Sequence, residues 1–182
     1  MQVMGTKKQR TCQEMISGAS AAFGCSCLIL FAIGTVIFYG LFLHAREDAR
    51  VVGCIDNQKQ IKSALALYAS DHDSRLPPSS QWMDLIQPYL KHPHLQCPSA
   101  PELEYGYAFF RPLSNCKLST IPQPQITPMI FDSTKGQRNH ADDGQSLAFR
   151  HEKCTVVTFA GGHAKLLSQS SSRRIFKSQT LE

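Results

Sequence analysis

The sequence predicts an α+β chain, with a long helix first and short strands after it. Three observations carry this. No Asp, Glu, Lys or Arg occurs between residues 15 and 43. The stretch that follows, AREDARVVGCIDNQKQIKSALALYASDHD, repeats apolar residues at helical spacing. Beyond residue 100 the pattern changes to short apolar runs between turn residues.

Residues 1–14 form a basic leader with Lys7, Lys8 and Arg10 against Glu14. Residues 15–43 form the transmembrane segment. Its core, ASAAFGCSCLILFAIGTVIFYGLFL, makes about 37 Å of helix at 1.5 Å per residue, against roughly 30 Å of hydrocarbon. A cleaved signal would have a shorter apolar region and end in a small-x-small site. Here the run ends in Leu43-His44-Ala45-Arg46, so the reading is a retained anchor rather than a removable signal or a buried soluble helix. Three basic residues precede the span against Arg46 and Arg50 after it, an excess that favours the N-terminus inside, and a short leader before a long C-terminal body fits a signal anchor that exports the body. Cys25 and Cys27 read as small membrane-helix residues, because a lipidated cysteine follows its apolar stretch and these lie near the start of one.

Residues 44–72 predict an amphipathic helix. Val51, Ile55, Ile61, Leu65 and Tyr68 share one face, with Asp56, Lys59, Lys62 and the glutamines on others and Gly53 a candidate kink. Residues 73–167 form the head. Arg75-Leu76-Pro77-Pro78 breaks the helix, and SQWMDLIQPYLKH predicts a short one capped by Ser80 and ended or bent by Pro88. Strands are expected at 105–111, 127–131, 146–150, 154–159 and 163–167, the last two joined as a hairpin through Ala160-Gly161-Gly162. Residues 168–182 are polar and read as a flexible tail.

The formal charge of +5 belongs mostly to the two ends of the chain, so the folded part lacks the cationic surface of a nucleic-acid binder. At 42% hydrophobic residues the chain is not disordered.

Seven segments in order resemble a known family: AREDAR after an apolar helix, CIDNQKQIKSALALYASDHDSRLPP, WMDLIQPYLK, LQCPSAP, YGYAFF, MIFDS and RHEKCTVVTFAGGHAKLL. They are similar to bacterial prepilin-like proteins with a C-terminal motif of His, nine residues, then Asp-Gly. Here the motif positions are His151, Gly161 and Gly162, with Gly161 where the family has Asp. The resemblance implies a type IV pilin-like fold, anchored by the membrane half of its long helix in the inner (cytoplasmic) membrane, with the outer half packed on a small antiparallel sheet. It also implies a periplasmic or otherwise extracytoplasmic head. The family's processing junction, Gly before an aromatic or Met with Glu at the fifth mature position, is replaced here by Gly18-Ala19 and Phe23. The expectation is therefore an unprocessed anchor rather than a filament subunit.

Four cysteines fall in the outer body: Cys54, Cys97, Cys116 and Cys154. Three pairings are open. A Cys97–Cys116 bridge is the favoured candidate, since both lie in loop-like sequence around YGYAFF, while Cys54 and Cys154 read as packed thiols. No CxxC is present to suggest a thiol–disulfide enzyme or zinc ribbon. His140, His151 and His163 with Asp132, Asp142 and Asp143 are the set with metal-ligand chemistry, but their spacing matches no compact ligand motif. The reading assigns no metal and no cofactor, gives His151 a structural hydrogen bond beside the hairpin, and makes Asp142-Asp143-Gly144 a turn. No nucleophile elbow, phosphate loop or HExxH occurs, so no catalytic residue is named.

The functional expectation is a membrane-anchored structural or interaction protein of a type II secretion, type IV pilus-like or cell-envelope assembly. Its partners would be the lipid bilayer and other pilin-like or envelope proteins, with no nucleic acid. The alternative is a tethered domain binding a metal or small ligand through His151 and nearby acids.

Overall fold

The computed structural model describes the backbone over residues 5–92 and 96–179, with side chains at residue 28 and, within those spans, from residue 30 onward. The readings given to Lys7, Lys8, Arg10, Gly18, Phe23, Cys25 and Cys27 lie outside the described side chains. Helix α1 (Gly5–Asp71) is continuous and runs through two compact units, one up to Arg46 and the other from Glu47.

In the first unit the helix is long and apolar enough to cross a membrane, and its apolar window is unburied. Phe31, Val36 and Phe38 are 73%, 72% and 70% exposed, around more than one side of the helix. A core helix of a soluble domain would hide at least one such face.

In the second unit α1 buries Cys54, Gln58, Ile61, Leu65 and Tyr68. The i, i+4, i+7, i+11, i+14 spacing is that of one helical face. The predicted stripe is therefore correct from Ile61 onward and rotated before it: Val51 and Ile55 are only half-buried, and the buried positions are Cys54 and Gln58. Gly53 lies within uninterrupted helix, where a Cβ would come within 3.1 Å of Pro98 Cγ. Asp73 and Ser74 then turn left-handed, with φ of 51° and 61°, and the Ser74 amide closes the helix end on Ala69 O at 2.8 Å.

Helix α2 (Trp82–Ile86) buries Trp82 and Ile86 and passes into a 3-10 turn, Gln87–Tyr89, at Pro88. Ser80 does not cap it. Asn139 does so from a distant loop, its Oδ1 accepting from the amides of Met83 at 2.8 Å and Asp84 at 3.2 Å.

Five strands follow: β1 (Tyr107–Phe110), β2 (Pro128–Asp132), β3 (Ala141–Asp142), β4 (Cys154–Phe159) and β5 (Ala164–Ser168). They lie in the order β3-β1-β2-β4-β5, antiparallel except for β1 beside β3. Chain segment 146–150, expected as a strand, makes only an isolated bridge between Leu147 and Ser133, because Ser146 is drawn into the turn that Asp142 organises.

Residues 168–182 are not a loose tail over their described part. Helix α3 (Gln169–Gln179) buries Phe176, which meets Phe110 and Phe131 edge-to-face at 5.4 and 5.0 Å. One large aromatic with Ile175 beside it docks an otherwise polar helix. Since side chains alternate along a strand, Phe110 and Phe131 share one sheet face, and Phe109, Ile130 and Asp132 share the other. Gln58 of α1 bonds Asp132, while Trp82 of α2 stacks on Phe109 at 5.8 Å. Thus α1 and α2 cover one face and α3 the opposite one, which accounts for the unbroken burial of β1 and β2.

Candidate functional site

On the α1 side of the sheet, four side chains with metal-ligand chemistry meet. Cys54, Cys97, Asp132 and His151 are buried, and their ligand atoms all lie within 4.8 Å of one another. Each arrives from a different element. Cys54 is on the buried face of α1, Cys97 opens the 97–100 turn closed by the Ala100 amide on Cys97 O, and Asp132 ends β2. His151 precedes β4 across a two-residue turn. Glu152 and Lys153 there have φ of 48° and 66°, and the amides of His151 and Cys154 bond each other's carbonyls. Those angles are those of a type I′ turn, normally given to Asn or Gly.

The two sulfurs stand 3.7 Å apart. Cys54 Sγ donates to Asp132 Oδ1 at 2.9 Å, while His151 Nε2 lies 3.9 Å from Cys97 Sγ and 3.5 Å from Asp132 Oδ2. The supporting groups are equally defined. Gln58 Nε2 donates to Asp132 Oδ1 and to Val156 O, both at 3.0 Å, and Gln58 Oε1 accepts from Thr158. The Val156 amide donates to Asp132 Oδ2 at 2.8 Å. On its other edge, His151 Nδ1 lies 3.3 Å from Ser99 Oγ and 3.4 Å from Glu47 Oε1.

The electrostatics follow from burial and these contacts. Burial pushes the Asp132 carboxyl up, against the hydrogen bonds from Cys54 and Val156. The contact with Cys97 and burial push the Cys54 thiol far up. Cys97 is lowered to about 4, first by Cys54, then against burial by His151 and the Ser99 amide. Burial disfavours the His151 cation, yet the Cys97 contact and the Asp132 charge outweigh it and raise its pKa. Arg150, whose Nη2 bonds Ser133 O, adds positive charge toward Cys97 and Asp132, and its Nη1 is buried with no hydrogen-bond partner among the described residues.

The histidines and aspartates grouped from sequence separate in space. His151 and Asp132 join this quartet. His140 instead pairs with Asp142 at 2.9 Å, and Asp143 with Arg111 at 3.5 Å. His163 stacks on Phe159 at 4.7 Å. The Asp142-Asp143-Gly144 turn forms as expected, with the Asp142 carboxylate accepting from the amides of Gly144, Gln145 and Ser146. Of the motif positions, His151 sits before β4 while Gly161 and Gly162 turn β4 into β5, Gly162 at φ 97°.

The Cys97–Cys116 bridge is not formed. Both are free thiols, Cys97 facing Cys54 and Cys116 facing Pro112 O at 3.4 Å. The reason is that Cys97 turns inward to α1, whereas Cys116 stays in the half-buried loop near Leu76. Cys54 is a packed thiol with chemistry around it, and Cys154 is half-buried on β4. The signal that marks Cys54 is its place on the i, i+4, i+7 face with Gln58 and Ile61.

No family model matches the chain, and no curated protein or solved structure is similar to it.

Proposed function

We propose that this chain is a single-pass inner-membrane protein with an extracytoplasmic, pilin-like head that works by protein–protein contact in a secretion, pilus-like or cell-envelope assembly. One observation supports it most: a single helix is apolar and unburied over residues 30–43, then supplies the core stripe of an α+β head from Cys54 onward. That division of labour suits an anchor that also builds the folded body. Two surfaces are offered for contact. One is the outer side of α1, where Asp56, Lys59, Gln60, Ser63, Leu67 and Tyr89 border a groove of about 450 Å³. The other is edge strand β5, with Leu166 43% exposed.

The alternative, binding of a metal or small ligand as the head's task, draws on the quartet. Its members are closed to solvent, which suits a structural role better than exchange.

A photo-crosslinking amino acid at Leu67 or at Leu166, in the full chain in its native membrane, tests the contact reading. A discrete adduct with another envelope protein from at least one position is expected, and adducts with lipid alone or none at all from both positions refute it.

A further inference from the structure

We propose that Cys54, Cys97, Asp132 and His151 are the four ligands of a structural zinc ion that ties α1 to the sheet. The inference rests on the head alone and is independent of what the head contacts.

The shape of the quartet is the first argument. Four-coordinate zinc holds sulfur at about 2.3 Å and nitrogen or oxygen at about 2.0–2.2 Å, so tetrahedral angles require edges of roughly 3.8 Å for S–S, 3.6 Å for S–N and 3.3 Å for N–O. The observed edges are 3.7 Å between the sulfurs, 3.9 Å from Cys97 Sγ to His151 Nε2 and 3.5 Å from His151 Nε2 to Asp132 Oδ2. Those edges take Asp132 Oδ2 as the oxygen ligand; the Cys54 thiol donates to the other carboxylate oxygen, Oδ1, at 2.9 Å, and zinc replaces that thiol proton.

The second argument is the set of groups behind the ligands. A metal-bound imidazole usually gives its other N–H to a carboxylate or neutral acceptor, which fixes the ring and its tautomer. His151 Nδ1 has Glu47 Oε1 and Ser99 Oγ in that position, leaving Nε2 aimed at the sulfurs. Asp132 is likewise held from behind by Gln58 Nε2 and the Val156 amide. Neither arrangement is needed by a simple pair of packed thiols.

The third argument is charge. Two thiolates and a carboxylate carry three negative charges, which zinc and the Arg150 guanidinium together balance. Unbalanced charge in so dry a site is among the costliest things a fold can hold. Two soft sulfurs with one imidazole and one carboxylate in a tetrahedron also favour zinc over hard octahedral cations. A Cys54–Cys97 disulfide is the rival outcome, and it leaves Asp132 and His151 without a common partner.

The full chain, purified in detergent under reducing conditions, is dialysed against zinc and analysed for metal, and the cobalt-substituted form is read by visible absorption. About one zinc per chain and the intense bands of four-coordinate, thiolate-ligated cobalt are expected. Cys116→Ser, outside the quartet, retains both. Glu47→Gln keeps the cobalt spectrum but lowers zinc affinity about 10- to 100-fold, as loss of a positioning partner does. Cys97→Ser and His151→Ala lose stoichiometric binding, and because both change fully buried side chains and so also weaken the fold, the unmodified chain's cobalt spectrum carries the decision. Substoichiometric zinc with no thiolate–cobalt bands in the unmodified chain, or peptides joined by a Cys54–Cys97 disulfide in the chain as isolated from its membrane, overturns the proposal.

Discussion

Replacing Phe176 by Ala tests whether the C-terminal helix belongs to the fold. Phe176 is 3% exposed and sits edge-to-face on Phe110 and Phe131. It also packs against Gly144, where any added Cβ would collide with the ring. Truncating a buried Phe to Ala costs about 3–5 kcal/mol, of which each aromatic pair supplies roughly 0.5–1.5. An 11-residue helix is marginal in isolation, so α3 depends on its docking, in which Phe176 is joined by the buried Ser172, the half-buried Ile175 and the bond from Thr127 to Gln179. The single tryptophan, Trp82, is fully buried on the other face of the same sheet and reports unfolding of the head without contribution from the membrane segment. With a urea slope of about 1–3 kcal/mol per molar, the loss moves the fluorescence midpoint down by roughly 1–5 M. A midpoint within about 0.3 M of the unmodified chain on that slope would mean that α3 is not docked in solution.

Three further outcomes follow from the packing. Leu65→Ala, at a fully buried position on α1, should cost about 2–5 kcal/mol by the same Trp82 assay. Asn139→Ala should cost roughly 0.5–2 kcal/mol, because it strips the amides of Met83 and Asp84 of their cap and leaves Ala at φ 59°, and Asn139→Ser, which supplies a hydroxyl as a shorter acceptor, should recover part of it. Gly161→Asp, which places an Asp at the position the resembled motif gives it, should cost little, since the added Cβ would come within 2.6–2.8 Å of the end of the exposed Gln125 side chain, which can swing away. By contrast, Gly162→Ala at φ 97° should cost about 1 kcal/mol or more; equal effects at the two positions would contradict this reading of the hairpin.

The parts of this fold that sequence predicts are those set by local periodicity. An uncharged run of transmembrane length, the Ile61-Leu65-Tyr68 face and the β4–β5 hairpin each follow from neighbours within a few turns of chain. The errors lie where a distant group decides. Gln58 reads as polar surface until Asp132, Val156 and Thr158 are seen to satisfy both ends of its amide. Helix α3 reads as tail because its docking rests on Phe176 and on aromatics contributed by β1 and β2. Strand β3 is two residues long and is made by pairing with β1, which no alternation could announce. The quartet is hidden for the same reason. Cys54 and Cys97 are 43 residues apart and Cys97 and His151 a further 54, so their juxtaposition is a product of the topology.

The proposed division of α1 between bilayer and head is tested most directly by spin-labelled amino acids at Phe38 and Leu67, both exposed on the helix, in right-side-out native vesicles. The account predicts strong relaxation by oxygen and little by a membrane-impermeant nickel chelate at Phe38, and the reverse at Leu67 with chelate added outside. Nickel access at Phe38, or none from outside at Leu67, would contradict it.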